Sequence, residues 1–376
     1  MNQTTPKAGD APVKARQQLH ALTGLRWWAA FMVFATHAFT GLIFPGELLP
    51  TLLASISSLL GLVGVSCFFV LSGFVLTWSR RSSDTAPKFW RRRFFKIYPN
   101  HLITLIITVA LMLVMGLPIR GLIQNLLLVH AWTTDPQITF GIGVSWSLSV
   151  EAFFYLSFPL LITLICKIPP SRLWYWVGGA ILAIFCAPMA ATLLPDTPLL
   201  PWEPTPAIQF WFLYVFPVTR MLEFVLGILL ARIVMSGRWI NVPVWVAWVA
   251  LAICCVAASY LPSLYRVVAA TIIPLGLLIP ALGAAEIRGH RSYMSGRVMV
   301  WLGNISFAFY LIHGVALDMV LYGVQYSLGE GYEWTTLSVI GGVTVGLATS
   351  VLLSWMMFEL VEKPMQRRFS VSRRRQ

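Results

Sequence analysis

Arg26 and His37 stand eleven residues apart in the apolar stretch LTGLRWWAAFMVFATHAF (22–39), and Glu151 interrupts a second one, GIGVSWSLSVEAFFYLSFPL (141–160). An imidazole can take a proton from an alcohol near neutral pH, and a carboxylate bonded to one ring nitrogen decides which nitrogen carries the lone pair. On a helix, eleven residues return a side chain to within about 20° of its starting direction and about 16 Å further along the axis, so Arg26 and His37 share a face. Ser147 and Tyr155 lie four residues on either side of Glu151, which places two hydroxyls on the glutamate's face. The pattern predicts general-base chemistry on a hydroxyl, with His37 and Glu151 as the catalytic pair.

Taken alone, Arg26 and His37 also read as a snorkelling anchor and a histidine bonded to a backbone carbonyl. Glu151 shifts the balance, because a carboxylate deep in hydrocarbon is expensive unless it is paired. Further polar groups join the expected cavity: Ser72 in LSGF, and Tyr310 with His313 in GNISFAFYLIHG (303–314). Arg220 and Glu223, at i and i+3, are expected to neutralise each other. His101, Glu359 and Glu362 fall near predicted span ends, where solvation or ion pairing explains them. In FWRRRFFKIYPNH (89–101), Arg91, Arg92, Arg93 and Lys96 crowd among aromatics. Guanidinium groups bind phosphates in a fork, so a phosphorylated donor is one expected guest, and anionic lipid headgroups are the other.

These residues must be held by a membrane fold. The 376 residues are 58% hydrophobic and only 11% charged, with a mean hydropathy of +0.76, against roughly 25% charged residues in soluble domains. Several apolar runs reach the roughly 20 residues a helix needs to cross hydrocarbon, and period-2 alternation is absent. The expected fold is therefore all-α, a polytopic transmembrane bundle of about ten spans, near 24–45, 51–78, 96–117, 141–166, 173–195, 207–235, 240–261, 264–284, 298–321 and 334–360. The stretch 121–131 is too short to span and is expected to be re-entrant or interfacial.

Basic residues gather in every second loop of this arrangement, with only Arg120 and Arg266 in the intervening ones. Both termini are therefore expected to face the cytosol, and the net charge of +13 is explained by that rule and by membrane lipid, without nucleic acid. The predicted domains are a cytosolic tail (1–20), the membrane bundle (21–362) and a basic cytosolic tail (363–376). The five cysteines show neither a disulfide framework nor metal-ligand spacing, so no metal is expected. Gly342 and Gly346 form a GxxxG suited to helix packing.

Five stretches in this order resemble the acyltransferase 3 family of integral-membrane acyl transfer enzymes: LTGLRWWAAFMVFATHAF, FFVLSGFVL (68–76), RRRFFKIYP (91–99), SWSLSVEAFFYLSFPLL (145–161) and LGNISFAFYLIHG (302–314). The resemblance spans essentially the whole chain. It implies transfer of an acyl group from acyl-CoA, as a co-substrate with no bound cofactor, to a hydroxyl of a sugar or glycoside acceptor, in a multi-pass protein of the bacterial inner (plasma) membrane. It implies that His37 is the catalytic histidine with Arg26 as its partner, and that Arg92 and Arg93 belong to the family's arginine motif. Lys96 replaces a third arginine there, keeping the charge and losing the fork. The LTGLRWWAA opening and RMLEFVLGILLAR (220–232) are similar to members that acylate macrolide sugars and to members that acylate polysaccharides. Some relatives carry an extracytoplasmic SGNH-type domain, and the expectation here is a bundle that works without one. The competing reading is a secondary transporter, since buried ionisable groups also mark solute routes.

Overall fold

A computed structural model describes residues 17–41, 51–81, 84–200, 203–329, 332 and 335–370. Most of the expected N-terminal tail and the last six residues of the basic C-terminal tail lie outside the described residues. The helices, in chain order, are α1 (His20–Gly41), α2 (Thr51–Trp78), α3 (Ala86–Val114), α4 (Leu122–Leu126), α5 (Pro136–Phe140), α6 (Trp146–Cys166), α7 (Leu173–Ala191), α8 (Ala207–Phe210), α9 (Pro217–Met235), α10 (Val244–Ala258), α11 (Ser263–Val267), α12 (Ala269–Ile287), α13 (Arg297–Leu328), α14 (Thr336–Met357) and α15 (Lys363–Ser370). A two-stranded ribbon, β1 (Leu199–Leu200) against β2 (Glu203–Pro206), sits in the Pro-rich connection before α8.

The all-α class is as expected. Among the described residues, eight helices are long and apolar enough to cross a membrane. The expected total of about ten requires two more: α1, 22 residues long, and the shorter apolar α10 of 15 residues.

Three boundaries matter for the site. First, α3 begins at Ala86, ten residues before the predicted span, so the basic stretch is helical. Its cations therefore point in different directions, and Arg93 and Lys96, at i and i+3, share one face. Second, α6 begins at Trp146, after a turn in which Gly143 holds φ of +71°. Third, the short segment before it folds into the protein: Asn125 and His130 are fully buried, and the Ser145 hydroxyl donates to Asn125 Oδ1 at 2.9 Å. Irregular backbone is thus covered by protein, as hydrocarbon demands. The His130 ring is enclosed with Asn125 and Ser145, its Nε2 3.3 Å from Ser145 Oγ.

The centre of the bundle is α2 and α12, which are mostly buried, whereas α7 and α14 are mostly exposed or half-buried and form the rim. Helix α2 packs on α1 and α9, and α13 packs on α1 and α14. The α2–α9 contact is backbone to backbone. A Cβ on Gly73 would overlap the carbonyl oxygen of Phe224, and one on Gly227 would overlap that of Val70. Small residues let helices approach this closely where no hydrophobic drive separates protein from lipid. Gly73 thus serves a neighbouring helix, and Gly346 of the GxxxG packs against Leu317 of α13 within the same chain.

Candidate active site

Three cavities follow one another through the bundle. A groove at the start of α3 is lined by Arg80, Asp84, Arg92 and Arg93. It shares Leu76 and Arg93 with a basic cavity between α1, α2, α3, α6 and α13. That cavity in turn shares Val65 and Tyr310 with an aromatic cavity, which contains His37.

The basic cavity is lined by Arg26, Arg93 and Lys96, with Glu151, Ser72 and Tyr155 facing them. Glu151 lines this cavity together with the Ser72 and Tyr155 hydroxyls and with Lys96 and Arg93. A second carboxylate, Glu362, is 3% exposed and close to Lys96 and Arg26. Asn100 Nδ2 and Gln366 Nε2 donate to it at 3.0 and 2.9 Å. Three cations thus face two carboxylates, leaving the cavity a net positive charge for an anionic guest. The Nε atoms of Arg26 and Arg93 are buried with no hydrogen-bond partner among the described residues. Each is a donor that a guest can satisfy.

Sequence spacing left Glu362 to solvation or ion pairing at a span end; the structure buries it beside Lys96 and Arg26. The last span widens into a π-helical turn at Phe358–Glu362. Glu359 then meets Lys363 at 2.6 Å, while Glu362 is carried inward. A π turn breaks the helical period on which face assignments depend.

The expected His37–Glu151 pair does not form, since the two line different cavities. Counting residues along two helices puts them at one depth, but depth says nothing about the direction each helix faces. Glu151 turns to α2 and α3, and His37 turns to α13. There His37 Nδ1 lies 3.0 Å from His313 Nε2.

The rest of the His313 environment orders the protons. His313 Nδ1 is 2.8 Å from the carbonyl oxygen of Tyr310 and 3.2 Å from that of Phe309. Carbonyls only accept, so His313 Nδ1 carries the proton and its Nε2 carries the lone pair. The short contact then requires a proton on His37 Nδ1, which leaves the lone pair of neutral His37 on Nε2. His313, expected only as cavity lining, is thus the partner that sets the tautomer.

The other candidates divide. Ser147 and Tyr310, predicted as lining, meet hydroxyl to hydroxyl at 2.7 Å. Arg92 is held by Asp84 at 2.6 Å in the groove. Arg91 is exposed and lines none of the three cavities. Arg220 and Glu223 are each 1% exposed and pair at 3.1 Å, as expected. The guanidinium also lies 4.8 Å from the Phe69 ring and 5.2 Å from the Tyr214 ring, a fully enclosed seat. No group of three or more metal-ligating side chains is found among the described residues.

Comparison with known proteins decides the class. The family model described as an acyltransferase domain matches residues 19–359. The chain belongs to the acyltransferase 3 family. It is 39% identical over 364 residues to Acyltransferase MdmB of Streptomyces mycarofaciens, covering 93% of this chain and 92% of that protein. It is also 29% identical over 180 residues to Nodulation protein 10 of Rhizobium leguminosarum bv. viciae, covering 43% of this chain and 47% of that protein. No solved structure matches it. This acyltransferase 3 protein is a multi-pass membrane enzyme that transfers acyl groups.

Proposed function

We propose that the protein moves an acyl group from acyl-CoA to a sugar hydroxyl of a glycoside, of which macrolide glycosides are the first acceptors to test and polysaccharide the second. In this reading it works in a bacterial plasma membrane, with ten spans and both termini in the cytosol. The observation that carries the proposal is the series of cavities itself: a cation-rich entrance leads through a net positive chamber to one whose histidine has its lone pair on Nε2.

The donor's phosphates would dock along Arg80, Arg92 and Arg93 and its pantetheine arm would extend past Lys96 and Arg26. Glu151 and Glu362 then act as fixed counter-charges, keeping three cations in one low-dielectric space before the donor arrives. At the far end, His37 Nε2 takes the acceptor's hydroxyl proton as that oxygen attacks the thioester carbonyl. The carbon–oxygen bond forms, the carbon–sulfur bond breaks, and the thiolate recovers the proton. While His37 is doubly protonated, its Nδ1–H continues to donate to His313 Nε2, so the partner stabilises the charge that develops. The aromatic rings around His37, among them Trp146, Tyr214 and Tyr310, offer flat faces to an amphipathic glycoside.

Kinetics with acetyl-CoA and a macrolide glycoside test the donor assignment. Replacing Arg93 or Lys96 by alanine removes a charged contact, so donor KM should rise about tenfold to a hundredfold, with a much smaller change in acceptor KM. Arg91→Ala should leave donor KM near the wild-type value, because that side chain lies outside the cavities. An unchanged donor KM in the Arg93 and Lys96 variants would assign the cations to lipid instead.

A further inference from the structure

The basic cavity and the cavity that holds His37 meet at Val65 and Tyr310. Tyr310 lines both chambers, together with Val65, whereas Glu151 lines only the first and His37 only the second. The tyrosine is 7% exposed, and its ring meets Phe68 edge-on at 5.5 Å between centroids. Its hydroxyl is fixed at 2.7 Å from Ser147 Oγ and reaches the Val144 carbonyl at 3.4 Å, both near the start of α6. Its backbone carbonyl meanwhile accepts from His313 Nδ1. The backbone of Tyr310 thus holds the pair that sets the tautomer of His37, while its side chain stands between the chambers.

We propose that the Tyr310 ring is the partition between a donor chamber and an acceptor chamber, latched by Ser147, and that it keeps the thioester from His37 until the acceptor chamber is filled. The proposal rests on the donor and acceptor assignments above. Such a partition answers a specific hazard. A histidine able to deprotonate an alcohol also deprotonates water, and water attacking the thioester gives a carboxylic acid and free CoA thiol, with the proton passing from water through His37 to the thiolate. Excluding water until the acceptor is bound is how enclosed sites suppress this loss.

Two conservative variants remove the latch from opposite sides: Tyr310→Phe keeps the ring, and Ser147→Ala leaves the tyrosine intact. The test measures CoA thiol released from acetyl-CoA by each purified protein, with no acceptor and then with a macrolide glycoside. Each variant should raise the ratio of acceptor-independent to acceptor-dependent release, on the order of tenfold. Tyr310→Ala should raise it further and accept octanoyl-CoA better relative to acetyl-CoA than the wild type does. Unchanged ratios in both latch variants, each confirmed folded by its melting profile, would overturn the partition. Wild-type protein that releases no thiol with both substrates present would overturn the acyl-CoA reading instead, so the two failures are distinct.

Discussion

At the scale of single residues, the chemistry turns on which atom of His37 holds a proton, and that is decided by a neighbour 276 positions away in sequence. His313 acts through His37, so it is a positioning residue. A variant that keeps an acceptor near its Nε2 should keep part of the function. His313→Gln is expected to retain more turnover than His313→Leu, by about tenfold, with little difference in donor KM. Equal losses in both variants, tracking their melting temperatures, would make His313 a packing residue only. The sequence exposed His37, Glu151 and the cations because polar groups are conspicuous in apolar runs. It did not reveal that the imidazole pairs with another imidazole, since residue counting yields depth along an axis and not the neighbour across a helix boundary. Glu362 was hidden for a different reason: its inward turn depends on a π-helical segment that regular spacing cannot anticipate.

At the scale of helices, composition made the element types plain, and the apolar runs located most spans. The basic segment was the exception. Its charges marked the end of a span, yet the helix continues through them, and that continuation selects Arg93 and Lys96 for the cavity while leaving Arg91 outside. The α2–α9 pair holds the inner wall, joined by its facing glycines and by Arg220, which contacts Glu223 and Ser66. Breaking a buried ion pair strands a charge, at a cost of about 3–5 kcal/mol, whereas replacing both partners with apolar groups of similar volume is often neutral. Arg220→Met and Glu223→Leu should each lower the melting temperature in detergent sharply, and the double variant should recover most of the loss. A double variant no better than the singles would mean that the pair does more than neutralise itself.

For the whole molecule, the sequence carried the architecture more fully than the site. Alternating basic loops predict which ends of the helices share a side. On a background without the five native cysteines, a membrane-impermeant maleimide applied to intact cells should label Thr192→Cys, beyond the far end of α7. It should reach Ser171→Cys, in the turn before α7, only in inverted vesicles. The reverse pattern would invert the bundle and place the cation-rich entrance outside, away from any cytosolic donor. Function as a whole depends on one imidazole, that of His37 in the acceptor chamber. The most direct test of this is CoA thiol release and acylated product from acetyl-CoA and a macrolide glycoside, compared between wild type and His37→Ala. Both readouts should fall by about 10²–10⁴-fold, with the variant still folded and still binding acetyl-CoA. Wild-type rates in that folded variant would contradict it.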